Sequence, residues 1–225
     1  MTVGIDLAKN VFALHGVNEA GKPELLRPSV RRGKLNALVA GLPPCVIGIE
    51  ARSGAHYWAR QFAQHGHTVT LIAPTFVTPH RLGGKNDAAD AAAICEAVSR
   101  PNMRFVPAKT EDQQSRLMVH RAHQGFVQAR KATINRIRGL LSKWGIVLPL
   151  KANTVRRQAA LHLEELPGYV NTVIGDLLSD VTHQDERIAQ YDCHIQTMAR
   201  TETLAQPLMR LMGVGGVSAT AIGPW

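Results

Sequence analysis

Cys45-Val-Ile-Gly-Ile-Glu50 is five apolar residues in a row closed by an acid. A run that short and that continuous is expected of a strand buried on both faces, which requires helices on both sides of a sheet. Thr2–Leu7 is a second apolar run, and Val11–Val17 resumes after Lys9-Asn10. The pair predicts a hairpin whose first strand brings Asp6 to its C-terminal end. Glu19-Ala-Gly-Lys-Pro23 is turn-like, and Glu24–Arg27 is expected as a third, shorter strand. Helices are predicted over Lys34–Gly41, stopped by Pro43-Pro44, and over Ala55–His65, capped by Ser53 and closed by Gly66. Thr68–Ala73 is the next strand. Three strands, helix, strand, helix, strand imply a mixed α/β sheet with helices on its faces. Asp6 and Glu50 then stand at strand ends, where open α/β sheets place their sites.

Two more acids follow in Lys85-Asn-Asp-Ala-Ala-Asp-Ala-Ala-Ala-Ile94, directly after Gly83-Gly84. On a helix, Asp87 and Asp90 are i,i+3 neighbours on one face, and the alanines around them favour the helix without adding bulk. The plainer account is a capping aspartate with a second acid favoured by the helix dipole. Asp6 and Glu50 tip the balance towards a shared acidic site.

Charge is unevenly placed. The net +9 divides into 11 Lys/Arg against 7 Asp/Glu over residues 1–100, 12 against 2 over 101–160, and 3 against 8 over 161–225. A basic middle segment followed by an acidic tail predicts one polyanion-binding element, with nucleic acid as the default polyanion. Pro101–Pro107 reads as an extended connector. From Thr110 a helical pattern runs to about Trp144 and stops at Gly145, with Ile134, Ile137, Leu141 and Trp144 on one stripe. Arg130, Lys131, Arg136, Arg138 and Lys143 surround that stripe as candidate nucleic-acid contacts. A second long pattern, about Asn171 to Arg200, places Leu177, Val181, Ile188, Tyr191, Ile195 and Met198 on a heptad seam that Gln184 interrupts. It buries against the Arg-rich helix or against a second copy of the chain. Leu211–Ile222 holds a Gly-x-Gly turn feeding a small-residue helix, similar to the start of a helix–hairpin–helix.

The remaining features narrow the class. No signal peptide opens the chain, and no run approaches the roughly 18 apolar residues of a membrane span. Cys45, Cys95 and Cys193 lack metal-ligand spacing and read as small buried hydrophobes of a cytoplasmic protein. No Gly-x-x-x-x-Gly-Lys-Ser/Thr loop or dinucleotide-type glycine turn is present. The pairs His65/His67 and His120/His123 lack partners to complete a zinc set. Four carboxylates gathered together call instead for hard cations, Mg²⁺ or Mn²⁺, which in pairs support phosphodiester cleavage.

Val3-Gly-Ile-Asp-Leu-Ala-Lys9, Gly48-Ile-Glu50 with Ala55-His-Tyr-Trp58, Lys85-Asn-Asp-x-x-Asp-Ala91 and Arg100-Pro-Asn-Met-Arg-Phe-Val-Pro107 resemble the DEDD transposases of the insertion-sequence-110 family. The resemblance runs in order over about residues 1–150. It implies a ribonuclease-H-like N-terminal domain with Asp6, Glu50, Asp87 and Asp90 as catalytic, metal-holding tetrad. It also implies a coiled-coil region used in dimer assembly, DNA as substrate and an element-encoded guide RNA as partner. Domains are accordingly expected at 1–108, 109–205 and 206–225, the last as the opening of the family's serine-bearing domain. No serine here matches that nucleophile, Ser218 being too early, so the domain is expected to be truncated. Arg52 and Ala89 stand where the family pattern has a small and a polar residue. Three readings stay open: a transposase or recombinase, a catalytically silent nucleic-acid-binding remnant or regulator, and a structure-specific nuclease using the four acids alone.

Overall fold

The computed structural model describes residues 1–80 and 86–222, so Gly83-Gly84-Lys85 and Gly223-Pro-Trp225 lie outside the described residues. The chain divides into two compact units, Met1–Glu111 and Asp112–Trp225.

The first unit is a six-stranded mixed sheet of order β3-β2-β1-β4-β5-β6. Strand β1 is Thr2–Leu7, β2 Val11–Val17 and β3 Pro23–Arg31. Helix α1 (Arg32–Ala40) follows, then β4 (Val46–Glu50), α2 (Ala55–Gln64) and β5 (Thr68–Ile72). A short helix α3 (Pro74–Val77) precedes α4 (Asp87–Val98), and β6 is Phe105–Val106. β1 and β2 form the expected antiparallel hairpin, while β1, β4 and β5 run parallel.

The two faces of the sheet differ in what they carry. Val3, Ile5, Ile47 and Ile49 point one way and pack with Leu35 and Val39 of α1 and Ala55, Trp58 and Phe62 of α2. The intervening positions, Gly4 and Gly48, lie under α4. A Cβ at Gly4 would stand 2.2 Å from the Ala91 carbonyl oxygen, and one at Gly48 would stand 2.1 Å from Val98 Cγ2. Glycine in these strands therefore lets a helix backbone descend onto the sheet, a use of strand glycine that costs some local stiffness.

Four expectations for this unit are corrected. β3 is longer than Glu24–Arg27 because it is an edge strand. Its exposure removes the apolar alternation, and an irregular register between Phe12 and Leu14 accommodates Pro28. Ser53 does not cap α2; Gly54 holds that position with φ 84° and no side-chain bond. The connector after Arg100 contributes β6, paired antiparallel with β5. Asn86, not an aspartate, caps α4 through Oδ1, which accepts from Ala89 N at 2.7 Å.

The second unit is helical: α5 (Glu111–Ser142), α6 (Ala152–Leu161), α7 (Gly168–Thr201), α8 (Ala205–Met209) and α9 (Gly216–Ile222). Only the first residue of α5 falls in the other unit. The seam of α7 packs antiparallel on α5, and α6 closes the core. Ile134, Ile137 and Leu141 meet Val155, Ala159, Ile174, Leu177 and Val181. Phe126 stacks on Tyr191 at 5.6 Å between centroids, so this end of the seam is aromatic. Gln184, the break in the heptads, donates to Thr133 Oγ1 at 3.3 Å, one polar interruption answering another. Trp144 is corrected: it lies beyond the end of α5 and is half-exposed, not part of the buried stripe. Cys45 and Cys95 are buried as expected, but Cys193 is exposed. Among the described residues no helix is long and apolar enough to cross a membrane.

Candidate active site

The sheet register builds the acidic corner. β1 and β4 pair with Gly4 beside Gly48 and Ile5 beside Ile49, and Asp6 and Glu50 are the next residues on the two strands. Side chains alternate faces along a strand, so Asp6 shares the face of Gly4, and Glu50 that of Gly48. That is the face α4 covers. The same helix carries Asp90 one residue before Ala91, whose carbonyl touches Gly4. Asp6, Glu50 and Asp90 are buried, and Asp87 stands at the exposed start of α4.

Electrostatics registers the gathering. The Asp6 carboxyl is pushed up to about 6, first by burial, then by the negative charges of Asp90, Asp87 and Glu50, with Arg52 pulling the other way. The other three acids named from the sequence thus each act on Asp6. Among the described residues, however, no three His, Cys, Asp or Glu side chains stand close enough to share one ion. The donor set still fits a hard divalent cation, being all carboxylate oxygen with an accumulated charge that raises Asp6. Asp6, Glu50, Asp87 and Asp90 are the carboxylates from which such a cation would draw its ligands.

In the sequence Arg52 stands out only as a departure beside Glu50. Its Nη2 lies 3.0 Å from Glu50 Oε1, with Glu50 2% exposed and Arg52 half-exposed. Nothing in a linear reading tells which way a turn sends an arginine two residues past an acid.

The basic candidates of α5 separate into two groups. Lys131, Arg136 and Lys143 are exposed. Arg130 is half-buried and pairs with Asp185 of α7 at 2.7 Å; Arg138 Nε donates to the Leu148 carbonyl at 3.4 Å. Arg156 of α6, which the sequence does not single out, pairs with the second oxygen of Asp185 at 2.6 Å. One aspartate therefore ties the basic faces of α5 and α6 together. His120 and His123 serve packing, meeting Thr220 Oγ1 and Asp192 Oδ1 at 3.0 Å each. His67 is buried between Cys45 and the Val39 carbonyl, and His65 bonds Asn36.

A mixed sheet with acids ending its two central parallel strands, and more acids on the helix laid across them, is the ribonuclease-H-like architecture of nucleic-acid-processing enzymes. The chain belongs to the DEDD transposases of the IS110 type, a family whose pattern, described as a transposase, matches residues 3–145. It is 38% identical over 229 residues to a "Probable family 20 transposase" of Pseudomonas aeruginosa, covering 98% of this chain and 66% of that protein. It is 36% identical over 221 residues to the transposase for insertion sequence element IS1328 of Yersinia enterocolitica, with the same two shares. To the transposase for insertion sequence element IS1111A of Coxiella burnetii it is 34% identical over 224 residues, covering 98% of this chain and 61% of the relative. The chain spans just under two thirds of the length of these relatives.

Proposed function

We propose that the chain provides the acidic phosphodiester-cleaving site of an insertion-sequence transposase and part of its nucleic-acid grip. The observation that carries this is the burial of Asp6, Glu50 and Asp90 on the sheet face that α4 covers, where the neighbouring acids of β4 and α4 push the Asp6 carboxyl up. Mg²⁺ or Mn²⁺ bound there supplies charge neutralisation and an activated oxygen nucleophile. Glu50 and Asp90, buried on either side, fix the orientation of the corner, and Asp87 at its solvent edge faces incoming substrate.

The substrate is DNA, and Lys131, Arg136 and Lys143 of α5 offer it, or the family's guide RNA, a row of phosphate contacts, with Arg130 and Arg138 behind them. The helical unit is the part of the chain through which it self-associates. These are cytoplasmic roles. The readout is nicking of branched and duplex DNA with Mg²⁺, compared between wild type and Asp90→Asn. Loss of cleavage by at least about 100-fold with DNA binding retained is expected, from the size of effects seen when transition-state charge stabilisation is removed. Equal cleavage by the two proteins would remove the acids from the mechanism. Binding with no cleavage by either would return the chain to the nucleic-acid-binding reading.

A further inference from the structure

Glu50 is the most deeply buried of the four acids, and Arg52, two residues along the chain, brings a positive group to its carboxylate. The backbone makes this return specific. Ala51 N donates to the Ile72 carbonyl at 2.7 Å, which pins the end of β4 to β5. Arg52 N donates back to the Glu50 carbonyl at 2.7 Å, and Ala55 N donates to the Arg52 carbonyl at 3.1 Å. Arg52 is thus held by its own backbone at both sides, in a tight turn that ends at left-handed Gly54. From there the guanidinium reaches Glu50 Oε1 at 3.0 Å while half of the side chain remains in solvent. A cation so placed, tethered but not enclosed, can leave without disturbing the fold. A buried lysine or a fully enclosed arginine could not.

The geometry points to Arg52 as an exchangeable counter-ion: a positioning residue that neutralises Glu50 and yields that carboxylate to a divalent cation when the acidic corner loads. This deepens the cleavage-site reading above and rests on it. A guanidinium at Glu50 competes for the same oxygen that a hard cation needs, so Arg52 sets the threshold for loading. It also keeps a buried carboxylate compensated, which removing it without replacement would not.

The test uses the whole chain and Mn²⁺ as the probe, followed by calorimetry and by the paramagnetic signal of free ion. Wild type, Arg52→Gln and Asp90→Asn are compared. Arg52→Gln is expected to bind Mn²⁺ about tenfold more tightly, since a unit positive charge beside the site is removed. Asp90→Asn is expected to lose binding. Nitrogen NMR of the Arg52 guanidinium, assigned by its absence in Arg52→Gln, separates direct contact from distant charge. Mg²⁺ should shift that resonance in wild type and not in Asp90→Asn. Binding by wild type that is lost in Asp90→Asn but unchanged or weakened in Arg52→Gln overturns the role of Arg52 alone. An Arg52 resonance indifferent to saturating Mg²⁺ overturns it too. No binding by wild type or Arg52→Gln overturns the cleavage-site reading along with it.

Discussion

A carboxyl that titrates near 6 inside a folded chain binds its proton more tightly than the same group does when unfolded. For Asp6 the stabilisation is therefore whole below about pH 4 and is lost as pH rises through about 6, because burial and three neighbouring acids oppose ionisation. In chelator-treated protein, urea unfolding should show wild type losing on the order of 2 kcal/mol relative to Asp6→Asn between about pH 4 and pH 7. Parallel pH profiles for the two would mean that Asp6 is not in the environment described. With Mg²⁺ present the difference should shrink, since a cation in the corner compensates the charge that opposed ionisation. The acids themselves are legible in the sequence because each sits at a punctuation point: two close apolar runs and two open an alanine helix. Arg52 at Glu50 and Arg156 at Asp185 are not, because a partner chosen by a turn or by two helices packing leaves no mark in local spacing.

Whole elements are placed by two glycines. At Gly4 a Cβ would meet backbone atoms of α4, the Ala91 oxygen at 2.2 Å and the Cys95 nitrogen at 2.4 Å, and backbone cannot rotate aside. At Gly48 the obstacle at 2.1 Å is the end of the Val98 side chain. Gly4→Ala should therefore destabilise the chain by about 3 kcal/mol or more, and Gly48→Ala by about 1–2 kcal/mol, on the scale of over-packing. Chemical denaturation gives the order, and an equal cost at both sites would show that α4 is not seated on β1 as described. Because α4 carries Asp90, Gly4→Ala should also lower the Asp6 carboxyl towards its ordinary value. The sheet is readable from apolar runs, but the glycines announce only that something approaches closely, not which element. β3 outruns its sequence pattern for the converse reason, since an edge strand with charged and proline positions hides its pairing from any hydrophobic pattern.

Across the molecule, charge is distributed so that part of the basic surface is already engaged in structure. If α5 binds nucleic acid, the triple variant Lys131→Ala, Arg136→Ala, Lys143→Ala should remove most of the salt dependence, about 0.9 in log–log slope for each duplex phosphate no longer neutralised. Adding Arg130→Ala and Arg138→Ala should change the slope little, because those two engage Asp185 and the Leu148 carbonyl. A slope that fell only with all five would mean that these internal bonds open on binding. Asp185→Ala should cost about 1 kcal/mol or less in stability, its arginine partners being partly solvated. It should raise nucleic-acid affinity severalfold by releasing Arg130 and Arg156, which filter binding or fluorescence anisotropy would report. The in-register pairing of β1 with β4 bears on how such a gene decays. Apolar replacements at Val3, Ile5, Ile47 or Ile49 leave the acids on their face of the sheet. Loss of one codon from either strand shifts every later residue to the opposite face and turns Asp6 or Glu50 into the oily layer beneath α1 and α2. In a copied element, an in-frame deletion of three nucleotides at these strands should therefore harm the acidic corner more than most apolar replacements there.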